Sequence, residues 1–231
     1  MDSPPPSAQT AGLRGETRIE ELTREQRTIV RRAAEARATV PDLELDGEVD
    51  MQACLSLARE RDASISALLV RACALALRGH PRVNAAYRDG RFELYSRINV
   101  GVAIETDDAY ATPAVLDADR KSLQELSDEL SELATRARAG ELTPPELAGA
   151  TFTVSHLDEP GIVRSGALVA PPHAAALAAG AIRPVPVLRD GAVVPGHAMT
   201  LTLACDHRIL YGAPAARFLS RVCELLAAGS L

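Results

Sequence analysis

The chain has 231 residues, 47% hydrophobic and 24% charged, which is enough apolar material for one sizeable core. Aromatic residues make up 3% with no tryptophan, and the net charge is −6 with basic side chains scattered among acids. This excludes a base-stacking platform and argues against a nucleic-acid or anionic-membrane surface. An anionic ligand therefore needs a locally built basic pocket.

The first segment, residues 1–20, is polar and proline-rich and lacks the apolar centre of a signal peptide. It is expected to be a disordered tail ahead of one domain over 21–231. Thr23-Arg24-Glu25-Gln26 has the capping-box pattern and opens a helix to about residue 38, stopped by Pro41. Leu43, Leu45 and Val49 alternate with acids, the pattern of a strand over 42–49 with one wet face. Helices follow over about 50–61 and 64–78; the second is apolar nearly all round and is expected to be buried.

Asp89-Gly90 lies between Ala85-Ala86-Tyr87 and Phe92-Glu93-Leu94-Tyr95, a hairpin signal. Strands are expected at Ile98–Ile104 and Ala114–Leu116. Leu123, Leu126, Leu130 and Leu133 then form one stripe of a helix ending at Gly140. Thr143-Pro144-Pro145-Glu146 opens a short helix. Strands over 150–157, 174–181, 184–189 and 197–205 follow, with Asp190-Gly191 as a second hairpin turn and a last helix over 213–227. Hairpins mixed with helices predict an α/β fold with a mixed, largely antiparallel sheet. Glycine-rich dinucleotide and Walker A patterns are lacking. Cys54, Cys73, Cys205 and Cys223 sit in apolar runs without CxxC spacing, as reduced core residues of a cytoplasmic protein would. No run reaches the roughly 18 apolar residues of a membrane span.

Two segments carry chemistry. In Cys205-Asp206-His207-Arg208-Ile209-Leu210-Tyr211-Gly212 an apolar strand runs into charge and then a helix, placing a histidine at a strand end. The ordinary alternative is a surface histidine beside an Asp206–Arg208 ion pair. In Thr151-Phe152-Thr153-Val154-Ser155-His156 the hydroxyls alone mean little, since threonine and serine are common on the wet face of a strand.

Together they resemble the catalytic domain of the dihydrolipoamide acyltransferases of 2-oxoacid dehydrogenase complexes. That family has a D-H-R-x-x-D/N-G-A motif and an upstream T-F-T-[IV]-S-N-L-G strand; here Ser155 and His207 are 52 residues apart, a matching separation. Arg97-Ile98-Asn99-Val100-Gly101-Val102-Ala103 and Thr112 to Asp119 resemble further family segments, so the likeness covers nearly the whole folded region. It implies a two-layer α/β sandwich shared with chloramphenicol acetyltransferase, and acetyl transfer from acetyl-CoA with no metal. His207 would be the catalytic base and Ser155 the oxyanion donor, meeting across the interface of a homotrimer. Asp206, Arg208, Tyr211 and Gly212 would support the site, and Arg31 and Arg32 would face the coenzyme A phosphates unless they are a solvated helix face.

There are departures from the family. Tyr211 stands where the family has Asp or Asn, so the supporting network is either rebuilt or impaired. Asp158-Glu159-Pro160-Gly161 replaces Gly-Met-Phe-Gly, on the side of the acyl acceptor. His156 replaces asparagine and is read as an exposed strand-end residue in preference to a second polar group in the channel. With no lipoyl domain and a short C-terminal anchor in view, the expectation is a free-standing O-acetyltransferase. Its acceptor would be a small-molecule hydroxyl, as in tetronate or spirotetronate biosynthesis. The alternatives are a dihydrolipoamide acyltransferase core and an inactive scaffold.

Overall fold

The structure, a computed structural model, describes residues 15, 17–106, 109–189 and 191–231. Most of the expected tail lies outside these residues, as does Asp190. Helix α1 (Arg24–Thr39) starts as expected: the Thr23 hydroxyl accepts from the Gln26 N–H at 3.2 Å, and the Gln26 side chain accepts from the Thr23 N–H at 3.0 Å. Strand β1 (Asp42–Asp50) leads into α2 (Gln52–Arg61) and α3 (Ile65–Arg78). A hairpin joins β2 (Ala85–Arg88) to β3 (Arg91–Leu94). Asp89 and Gly90 at its tip have φ of 49° and 75°, the left-handed geometry a tight two-residue turn requires.

The strand expected over Ile98–Ile104 is divided. Strand β4 (Val100–Val102) belongs to the main sheet, whereas β5 (Ile104–Glu105) turns away to pair with β6 (Tyr110–Ala111). Strand β7 (Ala114–Val115) returns to β4, followed by α4 (Leu123–Ala139) and α5 (Pro144–Ala148). The chain ends with β8 (Phe152–His156), β9 (Ala175–Ala179), β10 (Arg183–Arg189), β11 (Ala192–Asp206) and α6 (Gly212–Ala228).

The main sheet has the order β1-β11-β9-β8-β4-β7, with β10 also pairing β11. Pairs β4–β8 and β8–β9 are parallel and the others antiparallel, so the expected mixed, largely antiparallel sheet is what forms. At 15 residues β11 is the spine: β1 runs along one edge of it, β10 and then β9 along the other. Pro184 and Pro186 in β10 fit a strand whose other edge has no partner among the described residues, where no N–H is needed.

Helices α2, α3, α4 and α6 form the second layer, where Leu68, Leu69, Leu126, Phe218 and Val222 meet Val100, Phe152, Val154, Leu177 and Leu203 in one core. Cys54, Cys73 and Cys205 are buried there; burial pushes the Cys54 thiol up to about 11 and Cys205 to about 12, away from thiolate reactivity. On the wet face of β1, Arg164 bonds Glu44 and Asp46 at 2.6 and 2.8 Å, Arg189 bonds Asp50 at 2.7 Å, and Arg183 pairs with Glu48. The alternation of acids in β1 is thus a row of arginine-paired carboxylates.

Candidate active site

The turn after β11 is fixed from both sides. The Asp206 N–H donates to Ala174 O, just ahead of β9, at 2.8 Å, and the His207 N–H donates to Pro41 O at 2.9 Å. Ile209 and Leu210 are buried and pin the far side of the turn, so His207 is turned outward and is exposed. Asp206 is 1% exposed, and its carboxylate accepts from the Arg208 backbone N–H at 3.0 Å and from its guanidinium at 2.7, 2.9 and 3.2 Å. That hydrogen bonding holds the guanidinium firmly charged. Its outer face lies 4.3 Å from the ring centre of Tyr87 on β2. The Asp206–Arg208 pair is therefore real, and it clamps the turn that presents His207.

Tyr211 precedes α6 and is 52% exposed; its ring meets the His207 imidazole edge-on, with centroids 5.7 Å apart. Gly212 opens the helix, and a Cβ there would meet nothing within 4 Å. Within one chain, then, steric room does not require glycine at that position.

Ser155 lies on β8, half-buried, on the wall of a groove of about 1140 Å³. Thr28 and Arg32 of α1, Glu105 and Tyr110 of the β5–β6 pair, Leu147 and Ala148 of α5, and the segment from Ser165 to His173 complete the walls. Of the two arginines expected at the coenzyme phosphates, Arg32 lines the groove and Arg31 does not. Arg24, two turns earlier on the same face of α1, also lines it; the pattern was visible in the 4-residue spacing Arg24-Thr28-Arg32. These two guanidiniums are the groups that could face a phosphate.

His156 corrects an expectation. It is half-buried and lines the same groove, because Leu157 continues the ladder by donating to Ala179 O at 3.0 Å and the chain stays in the sheet. Burial lowers its pKa, against the pull of Asp158. His173 is a further groove histidine that sequence reasoning passed over. Its Nε2 donates to Ala150 O at 2.8 Å; burial lowers its pKa, that bond opposes the shift, and Arg32 adds to it. Among the described residues there is no group of three or more histidine, cysteine or acidic side chains placed to hold a metal ion. None of the described helices is long and apolar enough to cross a membrane.

The structure does not bring Ser155 and His207 together within one chain. Ser155 pairs with Ala178, which pairs with Thr202 of β11, whereas His207 follows Asp206 at the end of that strand. Five residues of strand separate the two levels, roughly 16 Å along the sheet at the usual rise. His207 is also not among the groove's lining residues.

Residues 14–230 match the family model described as 2-oxoacid dehydrogenases acyltransferase (catalytic domain). The chain belongs to this family. Among curated acyltransferase relatives, the dihydrolipoyllysine-residue acetyltransferase component of the Zymomonas mobilis pyruvate dehydrogenase complex is 35% identical over 208 residues, covering 86% of this chain and 47% of that protein. The chain thus spans about half the length of this relative. Among solved acyltransferase structures, the Azotobacter vinelandii dihydrolipoamide acetyltransferase superposes with a TM-score of 0.87 at 28% identity, covering 97% of each chain. That enzyme was studied for the role of a serine, a histidine and an asparagine in its catalytic mechanism, and their spacing equals that of Ser155, His207 and Tyr211. Chloramphenicol acetyltransferase, at 16% identity over 85% of this chain and 94% of its own, has a TM-score of 0.59 and shows the shared fold alone. The free-standing tetronate-type reading gains no support from these acyltransferases; they favour its stated alternative, the dihydrolipoamide acyltransferase core.

Proposed function

We propose that this chain is the catalytic core of a dihydrolipoamide acetyltransferase, moving acetyl between coenzyme A and a dihydrolipoyl thiol, with active sites formed between copies of the chain in a trimer. One observation carries the reading: the serine–histidine spacing of the Azotobacter vinelandii enzyme recurs here, and the serine faces a groove roomy enough for a long thiol arm. Because Ser155 and His207 lie so far apart in one chain, His207 would serve the groove of a neighbouring copy.

In that arrangement His207 takes the proton of the incoming thiol, and the thiolate attacks the thioester carbonyl. The tetrahedral oxyanion accepts a hydrogen bond from the Ser155 hydroxyl. Collapse expels the second thiolate, which recovers the proton from His207. Arg24 and Arg32 would orient the coenzyme phosphates. The test is mass spectrometry of acetyl-CoA incubated with the protein and either dihydrolipoamide or a panel of hydroxyl compounds. Acetyl-dihydrolipoamide is the expected product. Transfer to hydroxyls alone would restore the O-acetyltransferase reading, and inertness towards every acceptor would favour a scaffold.

Tyr211 is the observation that keeps a hydroxyl acceptor in view, since it replaces the asparagine of the Azotobacter vinelandii enzyme beside the histidine.

A further inference from the structure

His156 follows Ser155 on β8, and its backbone place is set by pairing with Ala179. His156 is among the residues that line the groove, and its Nε2 is buried with no hydrogen-bond partner among the described residues. Buried polar atoms are nearly always paired, so an orphan at a groove wall points to a ligand. The other histidines with buried rings differ. His80 and His173 each face a backbone carbonyl at 2.8 Å, and His197, whose Nδ1 is also orphaned, is not among the groove's lining residues. Burial disfavours the charged His156 ring, against the pull of Asp158, which favours the form with one N–H and one bare nitrogen. A phosphate or carboxylate would want the charged ring, and a thiol is a weak hydrogen-bonding partner. An amide matches a neutral imidazole whichever way the ring is protonated.

We propose that His156 is a specificity-determining residue of the groove, hydrogen-bonding an amide on the thiol-bearing arm where the arm passes the end of β8. The inference rests on the reading that the groove takes acyl thioesters. Both arms of that reaction, the pantetheine arm of coenzyme A and the lipoyl arm, carry amides.

The experiment uses the full chain and two variants, His156→Leu and His156→Gln; the second keeps a hydrogen-bonding group of similar reach. KM and kcat are measured for acetyl-CoA and for dihydrolipoamide. Separately, the carbon-13-labelled His156 ring is followed by NMR as coenzyme A or dihydrolipoamide is added alone. For the arm whose amide it meets, His156→Leu should raise KM about fivefold, the effect of one neutral hydrogen bond. His156→Gln should restore most of this, and the same ligand alone should move the His156 signal. A response to coenzyme A assigns the pantetheine amide, and a response to dihydrolipoamide the lipoyl one. A signal that neither ligand moves, or a His156→Leu change confined to kcat and stability, overturns the proposal and makes His156 a packing residue. Should dihydrolipoamide prove no acceptor at all, the functional reading fails, while the coenzyme A titration still decides the role of His156.

Discussion

Asp206 and Arg208 form a fork beneath the turn that carries His207, a guanidinium and an almost fully buried carboxylate joined by contacts of 2.7, 2.9 and 3.2 Å. Removing the cation leaves a buried charge without its partner, which is costlier than never having had the pair. Arg208→Ala is expected to destabilise the fold by about 3 kcal/mol, the low end for a broken buried pair, because the arginine itself is partly exposed. Arg208→Lys keeps the charge but not the fork or the stacking on Tyr87, and should fall between the two. Urea denaturation of the three proteins measures this; equal midpoints would show that the fork contributes nothing to stability.

His207→Ala should lower turnover a hundredfold or more, about the size of a general-base contribution, with the fold intact. Ser155→Ala should cost about 2–4 kcal/mol of transition-state stabilisation, read in kcat. The distance between the two residues in one chain adds a sharper test. Each variant alone should be nearly inactive, but unfolding them together and refolding as mixed trimers should restore roughly a quarter of wild-type sites by random assortment. No recovery from well-folded mixtures would place both groups in a single chain's site. Light scattering should report a trimer; a monomer would contradict the shared site.

Helix limits were legible because their signals are local: the Thr23–Gln26 box and Gly140 with φ of 73° each act within one turn. The division of the Ile98–Ile104 run was not. Val100 and Val102 are held by β8, some fifty residues on, but Ile104 is taken by the nearby Ala111, and which partner wins cannot be read from the apolar run itself. The motif residues of the site could be read directly, since Asp206, His207 and Arg208 are contiguous. Its supports could not. Tyr87 lies under Arg208 although the two are 121 positions apart in the sequence, and the groove around Ser155 is built from α1, α5 and the segment 165–173. His156 reads as exposed from its place at a strand end, because the groove it lines is walled by segments from elsewhere in the chain.

Glu146 ties helix α5, and with it Leu147 and Ala148 of the groove wall, to α4. Arg136 donates to its carboxylate at 2.7 and 2.8 Å, and the Thr143 N–H and hydroxyl donate at 2.7 Å each. The Arg136 guanidinium, then the Thr143 hydroxyl, hold the Glu146 carboxyl down at about 2. A carboxylate with a depressed folded-state pKa contributes stability above its unfolded pKa, and that contribution is lost as pH falls through the folded value. The melting-temperature gap between wild type and Glu146→Gln should therefore be full at pH 6 and shrink from about pH 4.5 towards about pH 2. A gap independent of pH would mean that the Gln variant loses packing, not charge.

Tyr211, the N-cap of α6, makes no side-chain capping bond and instead sets its ring edge-on to His207. An asparagine there could cap the helix, but with few partners. The third helical residue is Pro214, which has no N–H, so only the Ala213 N–H is in reach. Tyr211→Asn should accordingly gain stability at the low end of the capping range, about 0.5 kcal/mol. The same change removes the aromatic edge against the imidazole and leaves His207 freer to turn on an exposed loop. Tyr211→Phe keeps the edge and loses only the hydroxyl. If the site has been rebuilt around this ring, Phe should retain most of the acetyl-transfer rate, while Asn and Asp should be slower than wild type on dihydrolipoamide despite the better cap. If Tyr211 instead marks decay, the Asn variant should be the faster enzyme on dihydrolipoamide. The retained Asp206–Arg208 fork, the retained Ser155–His207 spacing and the ring contact itself all favour rebuilding. Rates of the wild type and the three variants on dihydrolipoamide, with thermal melts of the same samples, decide between the two, and a faster, more stable Asn variant would settle it for decay.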